Sequence, residues 1–527
     1  MIDARQLLVD NRMEFEFYLR KAQSHCRSEE YERAAAFAQT AAGHAWLRHP
    51  GFFHSPELAT ILTEISYKAI PAVDLPTRDY NGEVRRILHI MTRAFETGGH
   101  TRLVWNWIRA DQQHEHRVVV TQQGSNKIPT RLSDAAKNSG GGLLVLDASG
   151  GLVRTAAAIR RISQDVDFIV LHIHPNDVTT TLAFAGSFDH PPIAYLNHAD
   201  HVFWIGSEIC DATLNLRRSG MRLSAARRGI PPQRNLLLPI PLCAPSGREL
   251  SRAQARKHLA IADDEIMILS VASAYKFLPI ADVVDFGQIH EPILSDNAHV
   301  KFIVIGPSDD DPYWRQWAHR TQGRMQAVGH QKDTSTFLAA ADIYCDSVPI
   351  NSVTSLLEAA SAGLPCVSWT PHKPESLSST LSCDDLAFDA DPVGFFDRQQ
   401  YIARLNTLIN SSHRTDIGAG LRKALVHVHI GDDWLERLSS VYADVRAQAN
   451  NRPPESNLNT GFVEEYDEFL ASWQEQDQFR EPLLDSLPLA LRLQVLFVRK
   501  PSMRELMNAM VSKQASQALK RFMASLK

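Results

Sequence analysis

Two series of short apolar runs, each run separated from the next by a span of helical pattern, constrain this chain more than any other feature. The first series, from residue 84 onward, is RRILHIM, HRVVVTQ, GLLVLD, DFIVLHI, PIAYLNH, ATLNL and NLLLPI. The second is IMILSVAS, VKFIVIGP, RMQAVGH, ADIYCDSV and LPCVSW. Runs such as FIVLHI lack in/out alternation, as parallel strands buried on both faces require, and strands that alternate with helices read as βαβ units. Each series predicts an α/β domain on a doubly wound parallel sheet. Two in tandem predict a cleft between the carboxyl ends of their strands.

Pattern changes along the chain set the expected boundaries. Residues 1–80 carry helical pattern alone, and YERAAAFAQTAAGHAWLRHPG has small residues at helical spacing before a Pro-Gly stop, weakly like a tetratricopeptide unit. The plainer expectation is a helical cap on the domain that follows. Rossmann-like domains are expected over 84–245 and 246–445, and a helical extension over 452–527 after the polar stretch NNRPPESNLNTG. The closing segment VSKQASQALKRFMASLK is basic and amphipathic through Lys513, Lys520, Arg521 and Lys527, so it offers a peripheral membrane or partner-helix contact.

Several function classes drop out. A net charge of −5 supplies no general attraction to nucleic acid, so no nucleic-acid partner is expected. The six cysteines are scattered without a CxxC, which indicates neither a disulfide framework nor a zinc site. No apolar run approaches the roughly 20 residues that cross a bilayer, and MIDARQLLVDNRMEFEF lacks a signal peptide's basic start and apolar block. The expected location is cytoplasmic, with the basic terminal helix pointing to the inner face of a membrane.

The chemistry concentrates where strands end. In DSVPINSVTSLLEAASAGLPCVSW, residues 346–369, Ser352 or Asn351 can cap a helix that Gly363 and Pro365 stop. A helix tip at the carboxyl end of a parallel strand faces the cleft with its N–H groups and positive pole, and it attracts anions. Asn351, Ser352, Val353 and Thr354 are small enough for a diphosphate to approach the backbone, and Glu358, one turn on, can accept from ribose hydroxyls.

In the first domain, ILHIMTRAFETGGHTRLVWNWI places Gly98, Gly99 and His100 between the first strand and first helix, without the GxGxxG of nicotinamide cofactors. His100 suits a general base at neutral pH, and His198 and His201 in PIAYLNHADHVFW also follow a buried strand. His172 and His174 in LHIHPND share one face of a strand, but no third metal ligand has suitable spacing nearby.

The segment ADIYCDSVPINSVTSLLEAASAGLPCVSW resembles the donor site of GT-B glycosyltransferases, above all the large retaining class (glycosyl transferases group 1). That pattern is a Glu, seven residues, a second Glu, then Ala and Gly-x-Pro. Glu358 matches the second Glu, which contacts the nucleotide ribose; Ile350 stands where the first, a donor-sugar ligand, would be. ILSVASAYKF resembles the strand and loop carrying a diphosphate-binding Lys, here Lys276, with Ser273 where an Arg often accompanies it. VKFIVIGP and RMQAVGHQ resemble the next two strands, with His330 near the nucleobase.

The resemblance implies two Rossmann-like lobes with helical additions at both ends, and transfer of a sugar from a nucleotide diphosphate donor without a metal or other cofactor. It implies His100 as base in an inverting enzyme, or His198 beside the donor sugar in a retaining one. The acceptor is a glycan, as in bacterial surface polysaccharides, a glycolipid or a protein. A nucleotide-sugar epimerase of the same plan, or a non-catalytic binding protein on this scaffold, are the alternatives.

Overall fold

The structure is a computed structural model that describes residues 3–72, 84–96, 98–186, 190–243, 250–279, 284–371, 384–449, 464–475, 487 and 489–498. The basic terminal helix expected at Lys513, Lys520, Arg521 and Lys527 lies outside these residues. All twelve runs are strands. The first sheet comprises β1 (Arg86–Met91), β2 (Glu115–Val120), β3 (Gly142–Val145), β4 (Phe168–His172), β5 (Ile193–Asn197), β6 (Ala212–Asn215) and β7 (Asn235–Leu237), in the order β3-β2-β1-β4-β5-β6-β7.

The second sheet comprises β8 (Ile266–Val271), β9 (Val300–Ile305), β10 (Met325–Ala327), β11 (Ile343–Cys345), β12 (Cys366–Trp369) and β13 (Gly394–Phe395), ordered β10-β9-β8-β11-β12-β13. Every pairing between these strands is parallel. β13 was not expected. It has two half-buried residues and pairs only with β12, so it carries no apolar run to read.

Three helices precede the first sheet: α1 (Ala4–Arg27), α2 (Tyr31–Leu47) and α3 (Pro56–Ala69). α2 is buried from Ala34 through Ala45, because alanines around its circumference let neighbours close in on every side. α1 and α3 cover it, as do the helices Leu152–Ile162 and Val178–Phe184 of the first lobe. Glu32 fastens the cap: its carboxylate accepts from the N–H groups of Leu152 (2.8 Å) and Val153 (3.1 Å), at the open end of the helix they begin.

Two carboxyl-terminal helices depart from simple order. The helix Asp432–Ala449 packs on the first lobe, although residues up to 445 were expected with the second. Trp434 Nε1 donates to the Pro239 carbonyl at 2.8 Å, and Tyr442 donates to Asp111 Oδ2 at 2.8 Å while accepting from Trp107 Nε1. Trp434 and Tyr442 thus fasten it to first-lobe residues, and its apolar side chains join a core cluster shared with Trp107 and Phe168. The helix Glu465–Gln474 turns Tyr466, Leu470 and Trp473 into a buried cluster with Phe53, Leu223 and Ile350, so it touches the cap and both lobes. No helix among the described residues is long and apolar enough to cross a membrane.

Candidate active site

A cavity of about 1170 Å³ opens between the carboxyl ends of the two sheets. Its lining brings together all the residues singled out in the sequence for the donor or for catalysis: Gly98, Gly99, His100, His198, Lys276, His330, Asn351, Ser352, Val353, Thr354 and Glu358. His201, Ser273 and Ile350 line it too.

The helix Val353–Ser361 presents its first turn to this cavity, with Ser352 at the N-cap position. The Ser352 hydroxyl does not cap the backbone; it lies 3.2 Å from Ser355 Oγ. The Ser352 N–H is taken by Asp346 Oδ1 (2.8 Å), which also accepts from Ser347 N–H at 2.8 Å. The N–H groups of Val353, Thr354 and Ser355 have no hydrogen-bond partner among the described residues. Three donors and a helix pole thus remain for an anion.

Asn351 contributes differently from expectation. Its side chain turns inward, donating to the Ser347 carbonyl (3.0 Å) and Ser368 Oγ (2.8 Å) and accepting from Thr370 Oγ1 (3.0 Å). Its carbonyl receives the Lys276 ammonium at 2.9 Å, so the residue orients Lys276. Burial lowers Lys276 to about 8 against the opposing pull of Asp346, whose own carboxyl burial raises to about 6. The cavity wall carries Arg102, Arg131, Arg217, Lys276 and Lys332 against Glu96, Asp200 and Glu358, a positive balance suited to a diphosphate.

On the opposite wall Gly98, at φ +109°, makes the turn into α4 (Gly99–Ala110), a backbone that a side chain would strain. The His100 and His198 rings stack with centroids 4.0 Å apart. A hydrogen bond with the His172 backbone engages the His100 ring, while its Nε2 is buried with no partner. Burial first, and then His198, His174 and His172, drive His100 well below the usual imidazole value; burial likewise takes His198 to about 4. Both are neutral at pH 7.

Four residues that matter here had not been singled out. Arg102, on α4, forms an ion pair with Glu358 across the cleft. Arg217 grips Asp200 at 2.7 and 2.9 Å, and although burial pushes Asp200 up, Arg217 and His201 hold it at about 2. Asp346 had a signal, since an acid directly after an apolar strand stands at the sheet's carboxyl end. The two arginine pairs had none: Arg102 and Glu358 come from different lobes, and Asp200 and Arg217 follow two separate strands, β5 and β6, that only the sheet brings side by side. A cluster of metal-type donors, Asp111, His114 and His116, lies outside this cavity.

Residues 271–403 match the model of the family described as Glycosyl transferases group 1. Both the segment with Lys276 and the helix with Glu358 fall inside that match. The fold is GT-B. A point variant of the O-GlcNAc transferase of Thermobaculum terrenum is similar at 13% identity and a TM-score of 0.53, covering 83% of this chain and 85% of that one. A glycosyltransferase from Rickettsia africae covers 68% of this chain and 98% of its own at 9% identity and a TM-score of 0.51. HepE of Anabaena, in complex with UDP-glucose, covers 69% and 99% at 13% identity and a TM-score of 0.50. No curated protein matches the chain in sequence.

Proposed function

We propose that this protein is a glycosyltransferase that moves a sugar, a hexose or a close relative, from a nucleoside diphosphate donor to a nucleophile on a glycan, glycolipid or protein. The observation that carries the reading is the open first turn of the helix Val353–Ser361, beside Lys276 and across the cleft from His100. As the bond between the sugar's anomeric carbon and the phosphate oxygen breaks, its electron pair goes to the diphosphate. The N–H groups of residues 353–355 and Lys276 stabilise that charge.

His100 Nε2 is the base. Its lone pair is unpartnered, its ring is held in plane by His198, and its low pKa keeps it unprotonated for an acceptor hydroxyl's proton. Glu358 receives the ribose hydroxyls once Arg102 yields it, and His330 lies toward the nucleobase. No metal takes part at the cleft in this reading. The HepE complex with UDP-glucose supports a nucleotide sugar as donor. Docking to a membrane through the basic carboxyl-terminal segment belongs to the same proposal and fits a glycolipid acceptor.

A thermal-shift panel of nucleoside diphosphates and then their sugar conjugates tests it. At least one diphosphate is expected to raise the melting temperature. Glu358→Ala and Lys276→Ala are expected to abolish that shift and keep the far-ultraviolet circular dichroism spectrum. Shifts unchanged in both variants would place the donor elsewhere. Incubation with the donor alone separates the epimerase alternative, which interconverts donor sugars, from a transferase, which at most hydrolyses them.

A further inference from the structure

The first sheet carries three fully buried histidines on a diagonal. In the strand register His116 of β2 stands opposite Ile87, His89 of β1 lies two residues further on, and His172 of β4 stands opposite Met91. The rings are hydrogen-bonded in a column: His116 Nδ1 to His89 Nε2 at 2.9 Å, and His89 Nδ1 to His172 Nε2 at 2.9 Å. The column runs from the edge of the sheet where β2 begins to the edge that faces the cleft. Trp107 covers His89 and His172 edge-on.

At the far end His116 Nε2 lies 2.8 Å from the Asp111 carbonyl. The Asp111 carboxylate meets His114 Nδ1 at 2.6 Å, lies 3.6 Å from His116 Nε2, and accepts the Tyr442 hydroxyl at 2.8 Å. One ligand atom from each of Asp111, His114 and His116 lies within 4.8 Å of the others. We propose that these three side chains form a site for a divalent transition metal of the zinc class, remote from the cleft. Two imidazoles and a carboxylate are donors that zinc takes, and three protein ligands leave a fourth position open at half-buried His114. Tyr442 steadies the carboxylate and His89 the ring of His116, the outer support that such ligands require.

The metal has a consequence at the other end. Without it, the Asp111 carbonyl can only accept, so His116 carries its proton on Nε2. That forces His89 to donate from Nε2 to His116 and His172 from Nε2 to His89, and His172 Nδ1 is left a bare acceptor, which is the atom with no partner. Coordination through His116 Nε2 displaces that proton to solvent. A proton then passes from His89 Nε2 to His116 Nδ1 and another from His172 Nε2 to His89 Nδ1, and His172 takes one up on Nδ1. Charge in the column is unchanged, and the ring nearest His100 turns from acceptor to donor.

The test uses untagged full-length protein, stripped with chelator and titrated with Co²⁺ and Zn²⁺. One equivalent of Co²⁺ is expected to give visible d–d bands that Zn²⁺ displaces. His114→Ala, at a half-buried position that spares the column, is expected to lose the bands and weaken zinc binding by about 10- to 100-fold or more. On ¹⁵N-histidine-labelled protein, with His172 assigned by loss of its signals in His172→Gln, zinc is expected to move the His172 proton from Nε2 to Nδ1. Absence of bands in the parent, or equal bands in His114→Ala, overturns the site. Binding with the His172 tautomer unmoved overturns the coupling. Neither readout depends on the protein's having transferase activity.

Discussion

A methyl group on Gly99 would sit 2.8 Å from Thr354 Oγ1, so the glycine loop of one lobe and the helix tip of the other meet across the cleft. Thr354 is short and branched, so its hydroxyl can withdraw only by turning the whole side chain at χ1. Gly99→Ala is therefore expected to prop the cleft open and weaken nucleoside diphosphate binding about tenfold, which corresponds to about 1.4 kcal/mol. Adding Thr354→Ala removes the obstructing hydroxyl and should restore affinity. Calorimetric titration of both variants checks this, and equal weakening in the double variant would show that Gly99 acts otherwise than by contact with Thr354.

Lys276 makes binding and stability respond to pH in opposite senses. Its pKa of about 8 in the fold lies below its unfolded value, so the protonated form costs stability below about pH 8, and the fold gains stability as pH rises from there toward about 10.4. A bound diphosphate favours the ammonium. Affinity should therefore be flat below about pH 8 and fall above it, approaching tenfold per pH unit. Asp346→Asn removes the opposing carboxylate and should move that fall to lower pH. Affinity that stays constant to pH 9.5 in the parent protein would rule Lys276 out as the diphosphate's cation.

The architecture was legible because it rests on local pattern. Strands in such sheets are largely apolar, so β1–β12 announce themselves even where histidines interrupt β1, β2 and β4 and where β3 ends exposed at Leu144 and Val145, while β13 stays silent. Lys276, His330 and the turn before Val353 were legible for a related reason, since doubly wound sheets put ligand-binding loops directly after strands. The pair Arg102–Glu358 was not, because no spacing in the chain encodes which side chains two lobes will set face to face, and Arg217–Asp200 was not, because it joins the loops after two neighbouring strands of one sheet. The helix Asp432–Ala449 illustrates the same limit. Its apolar face was readable, but the lobe it covers was decided by Trp107, Asp111 and Pro239, hundreds of residues earlier in the chain.

His100 should carry proton transfer without carrying donor affinity. His100→Ala is expected to lower kcat by about 10²- to 10⁴-fold and leave the nucleotide thermal shift in place. Because burial and three neighbouring imidazoles keep the ring far below its ordinary value, kcat should stay level as pH falls through 6.5, where an unperturbed histidine would lose it. A pH profile from 5 to 8, on whichever donor passes the thermal-shift panel, reads this directly. An acid limb centred at 6.5 would point to a more exposed base.

Ile350 tests whether the missing carboxylate is a lost ligand or a changed structure. The side chain is 4% exposed and packs with Phe53, Leu223, Tyr466, Leu470 and Trp473, so the position belongs to the seat of the helix Glu465–Gln474. Ile350→Met conserves volume and should cost less than about 1.5 kcal/mol, and Ile350→Ala about 2–5 kcal/mol. Ile350→Glu would bury an unpaired charge among aromatic rings, which costs more than releasing the helix does. The expected result is undocking: rapid proteolysis after residue 464, a lower melting temperature, and no gain in turnover. Faster turnover in Ile350→Glu with the helix still protected would mean that the cluster can open to admit a carboxylate as a sugar ligand, and that the apolar seat is not what defines this end of the cleft.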